Sequence, residues 1–189
     1  MSVTIRLATV SDASRIAEIY RPFVKRTPIT FEEAVPPAAE MAQRLQETLR
    51  RYPWLVCEHG GWVVGYAYAT QHRTRASYRW SVDTAVYVDE SFHRRRVGHT
   101  LYTALFRMLV KQGYVNAFAG ITLPNAGSVA LHEAMGFQRF GIYRHAGFKL
   151  GAWHDVGWWQ LELQAPHATP SEPIALDEVQ DLWWSSLVE

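Results

Sequence analysis

The sequence predicts one mixed α/β domain, and three observations carry that reading. Segments with apolar residues at helical spacing alternate with segments of strand-like alternation. The connections between them include both short glycine turns that suit hairpins and longer helical crossovers. The 189 residues are 48% hydrophobic, enough to build one core without disulfide or metal staples.

Ile5-Arg6-Leu7 alternates like a short strand, and Thr9 then opens a helix. Thr9 and Asp12, three apart, can cap its free N–H groups, and Ile16, Ile19, Tyr20 and Phe23 repeat at helical spacing. Pro28 to Pro37 reads as a loop holding Phe31-Glu32-Glu33. A second helix should carry Met41, Leu45, Leu49 and Tyr52 on one face and stop at Pro53. Trp54 to Cys57 and Trp62 to Tyr68 then flank a hairpin turn at His59-Gly60-Gly61, where glycine allows positive φ. The polar stretch Gln71 to Arg79 leads into a strand from Trp80 to Val88. The basic turn His93-Arg94-Arg95-Arg96-Val97-Gly98 opens a long helix with Leu101, Leu105, Met108 and Leu109, and Gly113 sits where its C-cap belongs. A strand from Ala117 to Thr122, the loop Leu123-Pro124-Asn125 and a short helix to Met135 follow, with Gly136 as the stop. The last two strands are expected near Phe137–Tyr143 and Trp153–Leu163.

The domain so read covers residues 1–164, and 165–189 form a tail marked by Pro166, Pro170 and Pro173. Leu176, Val179, Trp183 and Leu187 share a face if the tail is helical. Trp183 and Trp184 imply that this face packs on the domain or on a partner subunit. The 13% aromatic content, with eight Trp, suits either core anchoring or a self-association surface.

Composition narrows the function. One cysteine excludes a disulfide framework and a cysteine-rich zinc site, and no metal is expected. With 19 Lys+Arg against 18 Asp+Glu, the chain lacks the basic surplus of a nucleic-acid binder. No apolar run approaches the roughly 18–20 residues of a membrane span, and the first residues lack a signal-peptide core. A cytoplasmic protein with no membrane or nucleic-acid partner is the expectation.

The informative unit is a strand, the basic turn and a long helix. A helix N-terminus presents unpaired N–H groups and a partial positive charge, which suit a phosphate, and Arg94, Arg95 and Arg96 add charge. It is neither a P-loop nor a dinucleotide fingerprint, since both require further glycines. Downstream lie Leu123-Pro124-Asn125 and His132-Glu133-Ala134-Met135-Gly136-Phe137.

Together these two units resemble the Gcn5-related N-acetyltransferase (GNAT) superfamily, over roughly residues 4–164. Tyr52-Pro53-Trp54-Leu55-Val56, Val86-Tyr87-Val88, Thr100-Leu101-Tyr102, Ala146-Gly147-Phe148-Lys149 and Trp153-His154-Asp155-Val156-Gly157 look like its phosphinothricin/methionine sulfoximine acetyltransferase branch. The resemblance implies a mostly antiparallel, twisted central sheet flanked by helices. It implies acetyl-CoA as co-substrate, direct attack by a substrate amine, and a homodimer. No acyl-enzyme is expected, so Cys57 reads as core.

By resemblance, Val86, Tyr87 and Val88 hold the acetyl-pantetheine arm, and Arg94, Arg95, Arg96, Val97, Gly98 and His99 the pyrophosphate. Asn125 and Ser128 follow on the pantetheine side. Asp83 stands where the branch carries a glutamate proposed as base, and is shorter by roughly 1.5 Å. His132 stands where many members have the tyrosine that protonates the departing thiolate. Phe31, Arg73, Arg75, Tyr78 and Val156 align with the acceptor pocket, and two arginines there suit a carboxylate or phosphinate.

Besides Asp83 for glutamate, three departures stand out: Arg73 for lysine, Glu32 for a basic residue, and Arg96 for a glycine of the pyrophosphate turn. If the Arg96 backbone lies in the right-handed or bridge region, its charge should favour the cofactor, and its side chain is expected to turn from the amides towards solvent or a phosphate. Competing readings are an acetyltransferase for polyamines, aminoglycosides or protein amines, which Arg73 and Arg75 disfavour, and a silent CoA-binding module.

Overall fold

The computed structural model describes residues 3–179, so Trp183, Trp184 and Leu187 lie outside the described residues. Seven strands form one sheet: β1 (Thr4–Leu7), β2 (Trp54–His59), β3 (Trp62–Gln71), β4 (Ser81–Val88), β5 (Asn116–Leu123), β6 (Gln138–Lys149) and β7 (Ala152–Glu162). Among the described residues, four helices of nine residues or more cover it: α1 (Ala13–Arg26), α2 (Ala38–Leu49), α3 (Val97–Gln112) and α4 (Ala126–Ala134). The strand order is β1-β2-β3-β4-β5-β7-β6, antiparallel throughout except for the parallel pair β4–β5.

Strand alternation sorts the core into two layers. Gly65, Ala67 and Ala69 of β3 face α3, and their small size lets the helix settle close. A Cβ on Gly65 would already lie 3.0 Å from Val97 and 3.1 Å from the Tyr87 carbonyl. Trp54, Val56 and Tyr66 face the other way and pack with Ile16, Ile19 and Tyr20 of α1 and Met41 and Leu45 of α2. On that side the Tyr87 ring is held by Tyr20, Phe23 and Tyr66 at centroid distances of 4.9, 5.1 and 5.3 Å.

Four elements differ from the sequence reading. A 3-10 turn at Val10–Asp12 precedes α1, because Asp12 accepts the Thr9 N–H (2.7 Å) and is gripped by both Arg6 terminal nitrogens at 2.8 Å. Helix α2 ends at Leu49, so Tyr52 leaves the helix face and packs on Tyr114, centroids 5.8 Å apart. Trp80 precedes β4 and donates its indole N–H to the Ser171 carbonyl (2.7 Å). Strand β6 continues past Tyr143 to Lys149, through a break in register between Tyr143 and Gly147.

The described part of the tail returns to the domain. Ile174 N–H donates to the Gln112 carbonyl (2.9 Å), and Leu176 and Val179 are buried. Among the described residues, no helix is long and apolar enough to cross a membrane.

Candidate active site

The parallel pair β4–β5 creates the site by failing to continue. The strands pair only at Ser81–Asn116, Val82–Ala117 and Asp83–Phe118. Beyond Asp83 they part, and the edge of β4 that faced β5 has no strand to bond. Main-chain donors and acceptors left this way are available to a ligand. A cavity of about 570 Å³ opens at this fork and draws its walls from both helical layers.

Ten of the eleven residues expected to hold the co-substrate line this cavity: Val86, Tyr87, Val88, Arg94, Arg96, Val97, Gly98, His99, Asn125 and Ser128. Arg95 is the exception, since its guanidinium lies 5.3 Å over the Phe92 ring. Sequence reasoning missed Phe23, Ile29, Phe92, Gly127 and Leu131. Four of these are apolar side chains that read as core, and nothing in their spacing set them apart.

At one end of the cavity the basic turn meets α3. The first bond into the helix runs from Thr100 N–H to the Arg96 carbonyl (2.9 Å), so Val97, Gly98 and His99 have no main-chain acceptor among the described residues. Arg94 (φ 58°) and Arg96 (φ 64°) are both left-handed. The right-handed or bridge region, the condition on which the Arg96 charge was to favour the cofactor, is therefore not met. The turn keeps a backbone shape that glycine adopts freely, at a cost of roughly 1–2 kcal/mol per non-glycine residue. Alternation of handedness along successive residues turns N–H groups to one side, an arrangement that suits anions. His93 donates from Nε2 to the Val88 carbonyl (3.0 Å), tying the turn to the end of β4.

The wall from α4 starts with Asn125, whose side-chain oxygen caps the helix by accepting Ser128 N–H (3.2 Å). His132, one turn on, does not line the cavity. Its Nδ1 donates to the Ser128 carbonyl (2.8 Å), so Nε2 is the acceptor and receives the Tyr102 hydroxyl (2.9 Å). Burial lowers its pKa, which favours the neutral form. Both ring nitrogens are thus engaged behind the cavity wall. It reaches the cavity only through the Ser128 hydroxyl, 3.3 Å from Nδ1.

Asp83 is the last rung of β4 before the fork, on the α1/α2 face of the sheet with Phe118 beside it. Its carboxylate lies 2.7 Å from His72 Nδ1. Burial raises the Asp83 pKa, against the opposing pull of His72 and Arg73. His72 escaped the sequence reading. Its pairing with Asp83 requires the β3–β4 register, which sets Thr70 opposite Asp83 and His72 one same-face step beyond.

None of the five expected acceptor residues lines the 570 Å³ cavity. Tyr78 meets His72 edge-on at 6.0 Å, and Arg73 acts on Asp83 electrostatically. Arg75 caps the 3-10 turn at Ala76–Tyr78 and is exposed. Across the sheet, Lys149 Nζ donates to the Thr30 carbonyl (2.7 Å), holding the loop of Phe31 over β6. The Phe31 ring fills the place a Cβ would take on Gly147, and Val156 of β7 pairs with Thr122. Glu32 is held by Arg44 through contacts of 2.7 and 3.0 Å, so its charge is compensated locally. Cys57 is buried away from the cavity, and burial pushes its thiol up to about 11. Among the described residues, no group of three or more His, Cys, Asp and Glu is placed to hold a metal ion.

The sequence matches the acetyltransferase (GNAT) domain family over residues 5–158. It is 39% identical over 172 residues to a phosphinothricin N-acetyltransferase of Streptomyces viridochromogenes, covering 91% of this chain and 93% of that one. It is 32% identical over 169 residues to an L-methionine sulfoximine/L-methionine sulfone acetyltransferase of Salmonella typhimurium, covering 89% and 98%. The fold superposes with a TM-score of 0.86 on a GNAT superfamily phosphinothricin acetyltransferase of Sinorhizobium meliloti solved in complex with acetyl-CoA. That chain is 35% identical, and the match covers 91% of this chain and 95% of that one.

Proposed function

We propose that this chain, which belongs to the acetyltransferase (GNAT) family, transfers the acetyl group of acetyl-CoA directly to the α-amine of a small amino acid analogue. It is an N-acetyltransferase. What is proposed is its acceptor and the work of each residue.

The fork between β4 and β5 is the observation that carries this reading. An elongated, phosphate-terminated thioester suits a cavity with free amides and two arginines at one end and an unpaired strand edge along its side. Acetyl-CoA supplies the acetyl group as that thioester. The amides of Val97, Gly98 and His99, with Arg94 and Arg96, take the phosphates. The free edge of β4 at Val86 and Val88 receives the pantetheine arm, with Asn125 and Ser128 opposite.

The acceptor approaches from the α1/α2 face, where Asp83 supplies the carboxylate of the proton-accepting end. Arg73 and Arg75 suit an acceptor carrying a carboxylate and a polar, tetrahedral side-chain group, of the phosphinothricin, methionine sulfoximine or methionine sulfone type. Phe31 and Val156 supply its apolar side. A reaction that consumes acetyl-CoA fits the cytoplasm, and herbicide resistance would follow from acetylation of phosphinothricin.

A melting assay and a free-thiol assay test this together. Acetyl-CoA is expected to raise Tm where ATP and NAD do not, because a ligand that binds only the folded chain stabilises it. Thiol release is expected with phosphinothricin or methionine sulfone and not with spermidine. Activity on spermidine alone would overturn the acceptor class, and acetyl-CoA binding without any amine-dependent release would favour the silent module.

A homodimer is also proposed, through the edge hairpin. Phe140, Tyr143 and Phe148 of β6, Leu150 and Trp153 are each more than half exposed there, except that burial by a second copy would cover them. Light scattering is expected to give twice the 21.6 kDa chain mass. A single-chain mass at micromolar concentration would refute it.

A further inference from the structure

Asp83 and His72 form a pair whose geometry assigns the proton. His72 Nδ1 lies 2.7 Å from Asp83 Oδ1. An ionised carboxylate can only accept, so Nδ1 carries the hydrogen and the imidazole lone pair falls on Nε2. No protein partner for Nε2 is found among the described residues.

The ring is fixed in place. It stacks on Phe118 with centroids 4.2 Å apart and an interplanar angle of 15°, and Tyr78 meets it edge-on at 69°. The His72 side chain is 10% exposed and that of Asp83 33%, so the pair sits in a sheltered place that still opens outward. A base held by packing on one side and by a carboxylate on the other is pre-oriented for proton transfer.

We infer that His72 is the general base for the acceptor ammonium, and that Asp83 is the carboxylate that orients it. This rests on the acetyl-transfer reading and refines the part that Asp83 plays in it. One N–H bond of the ammonium breaks, its proton joins Nε2, and the electron pair stays on nitrogen. The imidazolium so formed is balanced by Asp83. The free amine attacks the thioester carbonyl, the C–S bond breaks, and the second proton lost by nitrogen leaves on the thiolate as free thiol.

The assignment also resolves the short reach of Asp83. A neutral imidazole lone pair is a better acceptor for an ammonium proton than a carboxylate is. The titratable and charged groups that face the pair are Arg73, whose charge acts on Asp83, and the Tyr78 phenol. Phe118 of β5 and Gln160 opposite it on β7 carry no charge.

Two substitutions separate a base from a structural support. His72→Asn retains an amide N–H that can reach Asp83 but has no basic nitrogen. His72→Phe retains the ring on Phe118 and has no nitrogen at all. With methionine sulfone as acceptor, both are expected to lower kcat on the order of 10²-fold, with acetyl-CoA KM changed less than about threefold.

A His72→Asn chain within about threefold of wild-type kcat would overturn the assignment. So would a His72→Phe chain that melts within a few degrees of wild type and keeps kcat within about threefold. Thiol release by the wild-type chain upholds acetyl transfer whatever the variants do, so the two readings fail separately.

Discussion

Asp83→Asn is expected to lower kcat by roughly 10²–10⁴-fold, with acetyl-CoA KM almost unchanged. The asymmetry follows from position. Asp83 closes the paired part of β4 and faces the α1/α2 layer, while the co-substrate cavity begins beyond it and does not include its side chain. Asparagine nearly preserves volume, so packing against Phe118 and His72 survives. What disappears is the negative charge, and with it two effects. The amide no longer selects the imidazole form with its lone pair on Nε2, and an imidazolium beside it is no longer balanced. Buried charges left without a partner are costly, which penalises the protonated state the reaction must pass through.

Steady-state thiol release from pH 6 to 9 checks this result. Unchanged turnover over that range would remove Asp83 from the mechanism. If Asp83 and His72 act as one unit, Asp83→Asn combined with His72→Asn should be scarcely slower than the worse single variant, because groups that share one task are not additive.

How much of this could be read from residues alone depends on whether the information is local. The basic turn was legible because a run of arginines ahead of Gly98 and a long apolar-periodic helix is a local pattern, and the cavity forms where that pattern placed it. The handedness of Arg94 and Arg96 was not, because residue type rarely reveals φ when it is not glycine. Phe23 and Leu131 were hidden because a side chain on a cavity wall has the same helical spacing as one in the core. His132 was found as a residue, yet its orientation is decided by Tyr102, 30 positions earlier on α3. His72 required the most: a strand register carried across the loop from 72 to 80, which only the paired sheet specifies.

The left-handed turn makes the second large effect separable into charge and strain. Replacing both Arg94 and Arg96 by Glu is expected to raise acetyl-CoA KM by roughly 10²–10⁴-fold and leave kcat at saturation nearly intact. Two charge-assisted contacts at roughly 1.5–3 kcal/mol each sum to about 3–6 kcal/mol, and each 1.4 kcal/mol is tenfold. Glutamate carries a Cβ as arginine does, so the strain at φ 58° and 64° is retained and Tm should scarcely move. Arg96→Gly does the reverse: it removes one charge but relieves a strained residue. Its KM is therefore expected within about tenfold of wild type, because one contact of about 1.5 kcal/mol is lost and the amides remain, while relief of roughly 1 kcal/mol of strain appears in Tm. KM and Tm measured on both variants test the separation. Wild-type KM in the double glutamate chain would show that the phosphates do not sit on this turn. A large gain in activity on restoring glycine would show that the Arg96 side chain obstructs the amides of Val97, Gly98 and His99 rather than assisting them.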